Sequence, residues 1–254
     1  MPNVVLTIDC EGAHHDRCFT NEIIRVLEAN FVPATWLIHV SMKDPTANTQ
    51  LYYHEFIHKI PSWHEVGMKV NFENDRGYIE DEKERGNLIF VAKDALKSHQ
   101  VKCTAFRAGA FALQPSDVKY LEDIGIIVDS SVAPDAEYRM FRDWDGAPHE
   151  PYHSASDDLK KEGAGRLLHV PVATHDGKLG YMDREFDELR PLIDANLGRE
   201  VLCLALRDYQ DCVETLDKTV RYLREKGSHF TTLTQAASEH YEHHESLAES
   251  AQAT

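Results

Sequence analysis

The chain has 254 residues, 42% hydrophobic and 28% charged, a globular composition in which no run reaches the roughly 20 apolar residues of a membrane span. Its 43 acidic against 27 basic residues give a formal net charge of −16. That charge repels phosphate backbones and anionic lipid surfaces, so neither nucleic acid nor a membrane is an expected partner.

Met1-Pro2-Asn3 leads straight into the apolar run 4–8 with no basic n-region and no cleavage site, and a cytoplasmic location is the expectation. Short β-branched runs at 4–8, 34–40, 64–70, 104–106, 126–129, 167–171, 201–206 and 229–232 alternate with amphipathic stretches, a rhythm that predicts an α/β fold with a parallel barrel. Between them, 21–30 carries Ile23, Ile24, Val26 and Leu27 at helical spacing, and 115–124 opens on Pro115, a helix-start residue. The stretch 211–226 repeats the pattern with Val213, Leu216, Val220 and Leu223, and Gly227 follows as a C-terminal cap. One domain over 1–237 is expected, followed by a polar, acidic and flexible tail over 238–254. Five cysteines, Cys10, Cys18, Cys103, Cys203 and Cys212, are odd in number and lack CxxC spacing, so neither a disulfide framework nor a zinc knuckle is indicated. The segment 135–165 is too long for an ordinary connection and is expected over a functional face, as a lid, an interface or both. As an interface it would make a homo-oligomer, most simply a symmetric dimer.

Thr7-Ile8-Asp9-Cys10-Glu11-Gly12 is an apolar strand that ends in two carboxylates, the place where barrel enzymes keep their chemistry. Residues i and i+2 face one side of a strand, so Asp9 and Glu11 can share a ligand or a proton. A solvated strand end fits the spacing equally well. Three more segments follow: Trp63 to Glu73 around Lys69 and Asn71, Phe106-Arg107-Ala108-Gly109-Ala110, and Gly125 to Val132 around Asp129-Ser130-Ser131. With Leu168-His169-Val170-Pro171-Val172, Leu204-Ala205-Leu206-Arg207-Asp208-Tyr209 and Phe230-Thr231-Thr232-Leu233, they resemble, in order and over nearly the whole chain, the motifs of the polysaccharide deacetylase family.

The resemblance implies an irregular (β/α) barrel of about seven parallel strands and hydrolysis of carbon–nitrogen bonds, most often the N-acetyl groups of amino sugars. It implies that Asp9 matches the aspartate base and Arg107 the arginine that orients it, while Asp129-Ser130-Ser131 matches a common strand end. It also implies losses. The metal-binding aspartate falls on Cys10, the two metal-binding histidines on Lys69 and Glu73, and the late histidine acid on Arg207, which cannot release a proton near neutral pH. A catalytic zinc needs about three ligands of His, Asp or Glu type. No cofactor is therefore expected unless Glu11, Glu73, His14 or His15 rebuild a site. Lys69 and Arg207 are expected to replace the metal's charge by pairing with Asp9 or Glu11.

The expected catalytic residues are thus Asp9, Arg107, Lys69 and Arg207, with Glu11, Asn71, Glu73, Asp129 and Trp144 toward a carbohydrate or small amide substrate. Histidines 39, 54, 58 and 64 share no spacing and read as ordinary hydrogen-bonded side chains. His169 and His175, near a strand end, are candidate replacements for the general acid. Tyr138, Phe141, Trp144 and Tyr152 either cover a pocket suited to sugar rings or pack a lid. Two functions stay open: a deacetylase-type hydrolase, and an inactive barrel that binds carbohydrate or acts as a scaffold.

Overall fold

The computed structural model describes residues 2–12, 17–41, 57–138 and 140–252, with the backbone alone at 41 and 243–252. Its strands are β1 (Asn3–Cys10), β2 (Thr35–Ser41), β3 (Glu65–Asn71), β4 (Glu73–Asn74), β5 (Gly77–Tyr78), β6 (Ala105–Ala108), β7 (Val128–Asp129), β8 (Tyr152–His153), β9 (Leu168–His169), β10 (Thr174–His175), β11 (Lys178–Leu179), β12 (Val201–Arg207) and β13 (His229–Thr231). The helices are α1 (Thr20–Ala29), α2 (Glu82–Ser98), α3 (Pro115–Asp123), α4 (Phe186–Asn196), α5 (Val213–Glu225) and α6 (Leu233–Gln252).

Nine strands form one sheet in the order β12-β1-β2-β3-β6-β7-β9-β8, with β13 also on β1. All pairings are parallel except that of β8 with β9. β1 runs through the middle, and Val4 through Cys10 are buried, the continuous apolar run of a parallel strand covered on both faces. β12 pairs along one edge of β1, from Asn3↔Val201 to Asp9↔Arg207. The other edge is shared, with β13 on Asn3 to Val5 and β2 on Thr7 to Cys10. From β9 to β12 the curl is joined by isolated parallel bridges, Val172↔Cys203 and Tyr181↔Ala205. The result is a partial barrel of mostly parallel strands.

The helices cover the sheet by their apolar stripes: α1 buries Ile23, Ile24 and Leu27, and α5 buries Leu216, Val220 and Leu223, each side chain contributing roughly 1.5–3 kcal/mol. Gly227, at φ 76°, ends α5 in the left-handed conformation, and its N–H donates to the Arg224 carbonyl. α3 begins at Pro115 and is closed by a reciprocal cap between Gln114 and Asp117. Three helices have no counterpart in the sequence reading, α2, α4 and α6. The polar stretch from Ser238 is helical as part of α6, because Leu233, Ala236, Ala237 and His240, spaced i, i+3, i+4, i+7, turn one face inward. His240 Nδ1 lies 2.8 Å from Glu200 Oε1. Among the described residues no helix is long and apolar enough to cross a membrane.

Candidate functional site

Strand register assembles the site at the carboxyl ends of the parallel strands. Asp9 on β1 stands level with Arg207 on β12, and Lys69 on β3 level with Arg107 on β6. Asp9 is fully buried and accepts from three donors: Arg107 Nη1 at 2.9 Å on Oδ1, and Lys69 Nζ at 3.0 Å and Tyr181 O–H at 2.7 Å on Oδ2. Arg107 is itself held by the Ser130 carbonyl and hydroxyl, at 2.8 and 2.9 Å. Lys69 Nζ also pairs with Glu11 Oε1. Burial opposes charge on Asp9, but Lys69 and Arg107 outweigh it and hold the carboxyl well below the usual carboxylate range. Burial likewise opposes charge on Glu11, and Lys69 wins there too. Lys69 is driven up by the two carboxylates against its own burial and stays an ammonium. Burial and the Asp9 charge raise the Tyr181 phenol, which keeps its proton and donates.

The chain leaving β1 is fastened by Asp208, the residue after β12. Asp208 Oδ1 accepts from the Glu11 and Gly12 N–H groups at 2.8 and 2.6 Å, and Oδ2 accepts from the Thr20 hydroxyl at 3.3 Å. Burial pushes its carboxyl up to about 7 despite these donors. Between the ordinary aspartate value and about 7 the folded chain then holds a proton that the unfolded chain has lost, so stability falls as pH rises through that window. Asp208→Asn keeps the Oδ1 acceptor and lets the amide donate to Thr20. We expect it to remove a slope on the order of 1 kcal/mol per pH unit, read by urea unfolding at pH 5 and pH 7.5. An unchanged slope would assign the titration elsewhere.

Around this cluster opens a cavity of about 180 Å³. Glu11, Lys69, Asn71, Glu73 and Arg207 supply its polar groups, and Tyr78, Phe111, Tyr138, Phe141, Tyr181 and Tyr209 its aromatic walls. Phe141 stacks on Tyr78 at 4.4 Å and 10°. Gly109 lies against Asn71, whose amide occupies the place of any Cβ there, so a side chain at 109 displaces Asn71 from the cavity wall.

Some expected residues stand elsewhere. Arg207 does not join the Asp9 cluster: its guanidinium lies over the Tyr181 ring at 4.3 Å and pairs with Asp183 at 3.6 Å. Asp129 and Trp144 are buried behind the cavity, Asp129 bonded to Ser131 and His169, and Trp144 Nε1 donating to the Phe111 carbonyl at 3.0 Å. Neither lines the cavity. His169 is buried beside Asp129, and His175 is on the β10–β11 hairpin next to Asp176, so neither stands where a general acid would serve this cavity. Cys10 faces away from Asp9 as strand alternation requires, and its buried thiol is raised well above its ordinary value. His64 accepts from the Ala34 N–H at 3.1 Å, and burial lowers it to about 4. His14, His15 and His54 lie outside the described residues. Tyr181, Asp208 and the cavity aromatics Tyr78 and Phe111 are contributors that sequence reasoning did not single out, since no periodicity or spacing marks them.

The donor set does not fit a catalytic dication. Where a metal would be held near Asp9, the Lys69 ammonium stands between Asp9 and Glu11, and a divalent cation there would face that charge. Among the described residues no group of three or more His, Cys, Asp or Glu side chains could hold a metal ion.

No protein-family model and no curated protein matches the chain. Solved structures do. A Mycobacterium smegmatis protein assigned to the polysaccharide deacetylases matches with a TM-score of 0.61 at 15% identity, over 94% of this chain and 90% of that one. A Bacillus anthracis CE4 family pseudoenzyme, in a mutant with restored enzymatic activity, matches with 0.58 at 13%, over 93% and 68%. A family 4 carbohydrate esterase from Streptomyces lividans matches with 0.55 at 12%, over 91% and 92%. The chain has the fold of these polysaccharide deacetylases, active and inactive.

Proposed function

We infer that the cavity binds a carbohydrate, on a deacetylase fold whose metal-dependent chemistry has been replaced by an internal ion-pair cluster. The observation that carries this reading is the saturation of Asp9. A general base must reach the proton it abstracts and hold an accessible lone pair. Asp9 is buried, occupied by three donors and absent from the cavity wall. The wall suits a sugar: flat aromatic faces for the ring, and Glu11, Lys69, Asn71, Glu73 and Arg207 for hydroxyl and amide groups. The solved neighbours named for polysaccharide deacetylation support carbohydrate as the ligand class, and the pseudoenzyme among them supports a fold retained without turnover.

Titration calorimetry with N-acetylglucosamine oligomers, run with and without chelator and beside an acetate-release assay, tests it. Binding that ignores the chelator, with no acetate released, is expected. Phe141→Ala removes the ring stacked on Tyr78 and should weaken binding about tenfold, the value of one aromatic contact. Chelator-sensitive acetate release would overturn the reading.

A hydrolytic reading is favoured by one observation: Glu11 and Lys69 both line the cavity as a carboxylate and an ammonium in contact. Glu11 would take a proton from water attacking an amide carbonyl, Lys69 would hold the oxyanion, and Glu11 would return the proton to the leaving amine. Metal-free acetate release that is lost in Glu11→Gln would establish it.

A further inference from the structure

The geometry points to a second reactive centre, independent of the barrel-mouth cavity: Ser154, His169 and Asp129 form a nucleophile, base and orienting carboxylate for acyl transfer from an ester with a small apolar acyl group. Asp129 ends β7, His169 ends β9, and Ser154 follows β8. The antiparallel pairing of β8 with β9, in which Tyr152 lies opposite His169, brings Ser154 to the imidazole. His169 Nδ1 is 2.9 Å from Asp129 Oδ2, and His169 Nε2 is 3.0 Å from Ser154 Oγ.

The partners fix the tautomer. An ionised carboxylate only accepts, so the ring proton sits on Nδ1 and the lone pair on Nε2, and the Ser154 hydroxyl donates to it. Asp129 accepts in addition from the Ser131 N–H at 3.1 Å and from the Ser131 hydroxyl, which hold the carboxylate in place. His169 and Asp129 are fully buried, and the Tyr152 ring lies 5.1 Å from the imidazole. This is the constellation in which a serine hydroxyl becomes a nucleophile, recognised by geometry and role rather than by order along the chain.

Ser154 also lines a cavity of about 300 Å³ between α3 and the segment 155–166. Pro115, Val118 and Leu159 give that cavity apolar walls, Lys119 brings positive charge to its lining, and Arg166 stands there paired with Glu122 at 3.1 Å. The apolar walls select the acyl group, and the Lys119 charge favours a developing oxyanion. In the reaction, Ser154 Oγ bonds to the ester carbonyl carbon as its proton passes to His169 Nε2. The carbon–oxygen bond to the alcohol then breaks, and His169 returns the proton to the departing alkoxide. Water next attacks the acyl-serine, gives its proton to His169, and releases the carboxylic acid as Ser154 recovers its hydrogen.

The test uses the full chain with diisopropyl fluorophosphate, the adduct located by peptide mass spectrometry, and with p-nitrophenyl acetate as a turnover probe. One adduct per chain, on Ser154, is expected. Ser154→Ala should abolish it, Asp129→Asn should slow labelling by about 100-fold or more, and Ser156→Ala, on the same cavity wall, should label as the wild type does. No adduct on the wild type, or an adduct on Ser156 or any other residue, overturns the proposal, as does p-nitrophenyl acetate turnover undiminished in Ser154→Ala. Ser154→Ala removes a single oxygen atom, so its result decides even where Asp129→Asn, which alters a buried network, does not fold.

Discussion

Lys69→Met should destabilise the protein by about 3–5 kcal/mol near neutral pH, because it leaves two carboxylates in a buried site without the cation they share. Lys69 Nζ touches both Asp9 and Glu11. Asp9 retains Arg107 and Tyr181, so the damage concentrates on Glu11, where burial and the Asp9 charge both disfavour ionisation. The contribution of this site to the pH dependence should change sign, on top of the Asp208 slope that wild type and variant share. In the wild type, Asp9 and Glu11 have lowered folded pKa values, so their stabilisation is complete above the unfolded carboxylate values and is lost as pH falls through the folded ones. In Lys69→Met the Glu11 value is raised instead, and stability should fall as pH rises above about 4. Urea unfolding at pH 4.5 and 7.5 distinguishes the two. Lys161→Met breaks an exposed pair with Asp158 and should change nothing measurable. A Lys69→Met protein as stable as the wild type at both pH values would remove the ion-pair cluster as the reason this site holds together.

The strand rhythm was legible because buried parallel strands are short, β-branched and punctuated. Each of the eight runs read from sequence contains a strand of the main sheet. The helices α2 and α4 were hidden by particular residues. In α2 the inward face includes Arg85 and Gly86 while Phe90 and Val91 face out, which blurs the apolar stripe. In α4, Pro191 interrupts a pattern whose inward residues are Leu189, Leu192, Ile193 and Asn196. At the site, the resemblance pointed to Asp9, Lys69, Arg107 and Arg207, and the strand register brings the first three together. Charge balance set both Lys69 and Arg207 against Asp9 or Glu11; Lys69 stands there, but charge counting carries no direction, and Arg207 turns to Tyr181 and Asp183. Tyr181 reaches Asp9 from 172 residues away in sequence, and Ser154 meets His169 through a two-residue antiparallel strand. Both contacts belong to the tertiary fold and leave no local pattern to read.

Arg85→Met carries the other large effect, about 3–5 kcal/mol, for the same reason: a buried carboxylate loses its cation. Arg85 and Asp117 have no exposed side-chain surface. Arg85 Nε bonds Asp117 Oδ1 at 2.8 Å, Nη2 pairs with Oδ2, and the remaining donors go to the Ile79 and Ala112 carbonyls at 3.0 and 2.8 Å and to the Tyr78 hydroxyl at 2.9 Å. The guanidinium also lies 3.6 Å from the Phe72 ring centroid. Methionine replaces the packing of the stem but leaves the Asp117 charge without its cation and the Ile79 carbonyl without its side-chain donor, while the Ala112 carbonyl keeps the Tyr78 hydroxyl at 3.3 Å. Burial pushes the Asp117 carboxyl up even beside Arg85, so without the cation it should protonate readily and the variant should gain stability as pH falls. Asp117 Oδ2 also accepts from the Gln114 N–H at 2.8 Å at the start of α3, a contact that an asparagine oxygen preserves. Adding Asp117→Asn to Arg85→Met should therefore recover part of the loss by removing the unpaired charge, while the Ile79 carbonyl still lacks the donor it had from Arg85. Because Phe72, Tyr78 and Ala112 line the barrel-mouth cavity, the single variant should weaken glycan binding as well as stability. A loss below about 1 kcal/mol in urea unfolding would mean that water reaches these groups, and that Arg85 does not hold up the cavity wall.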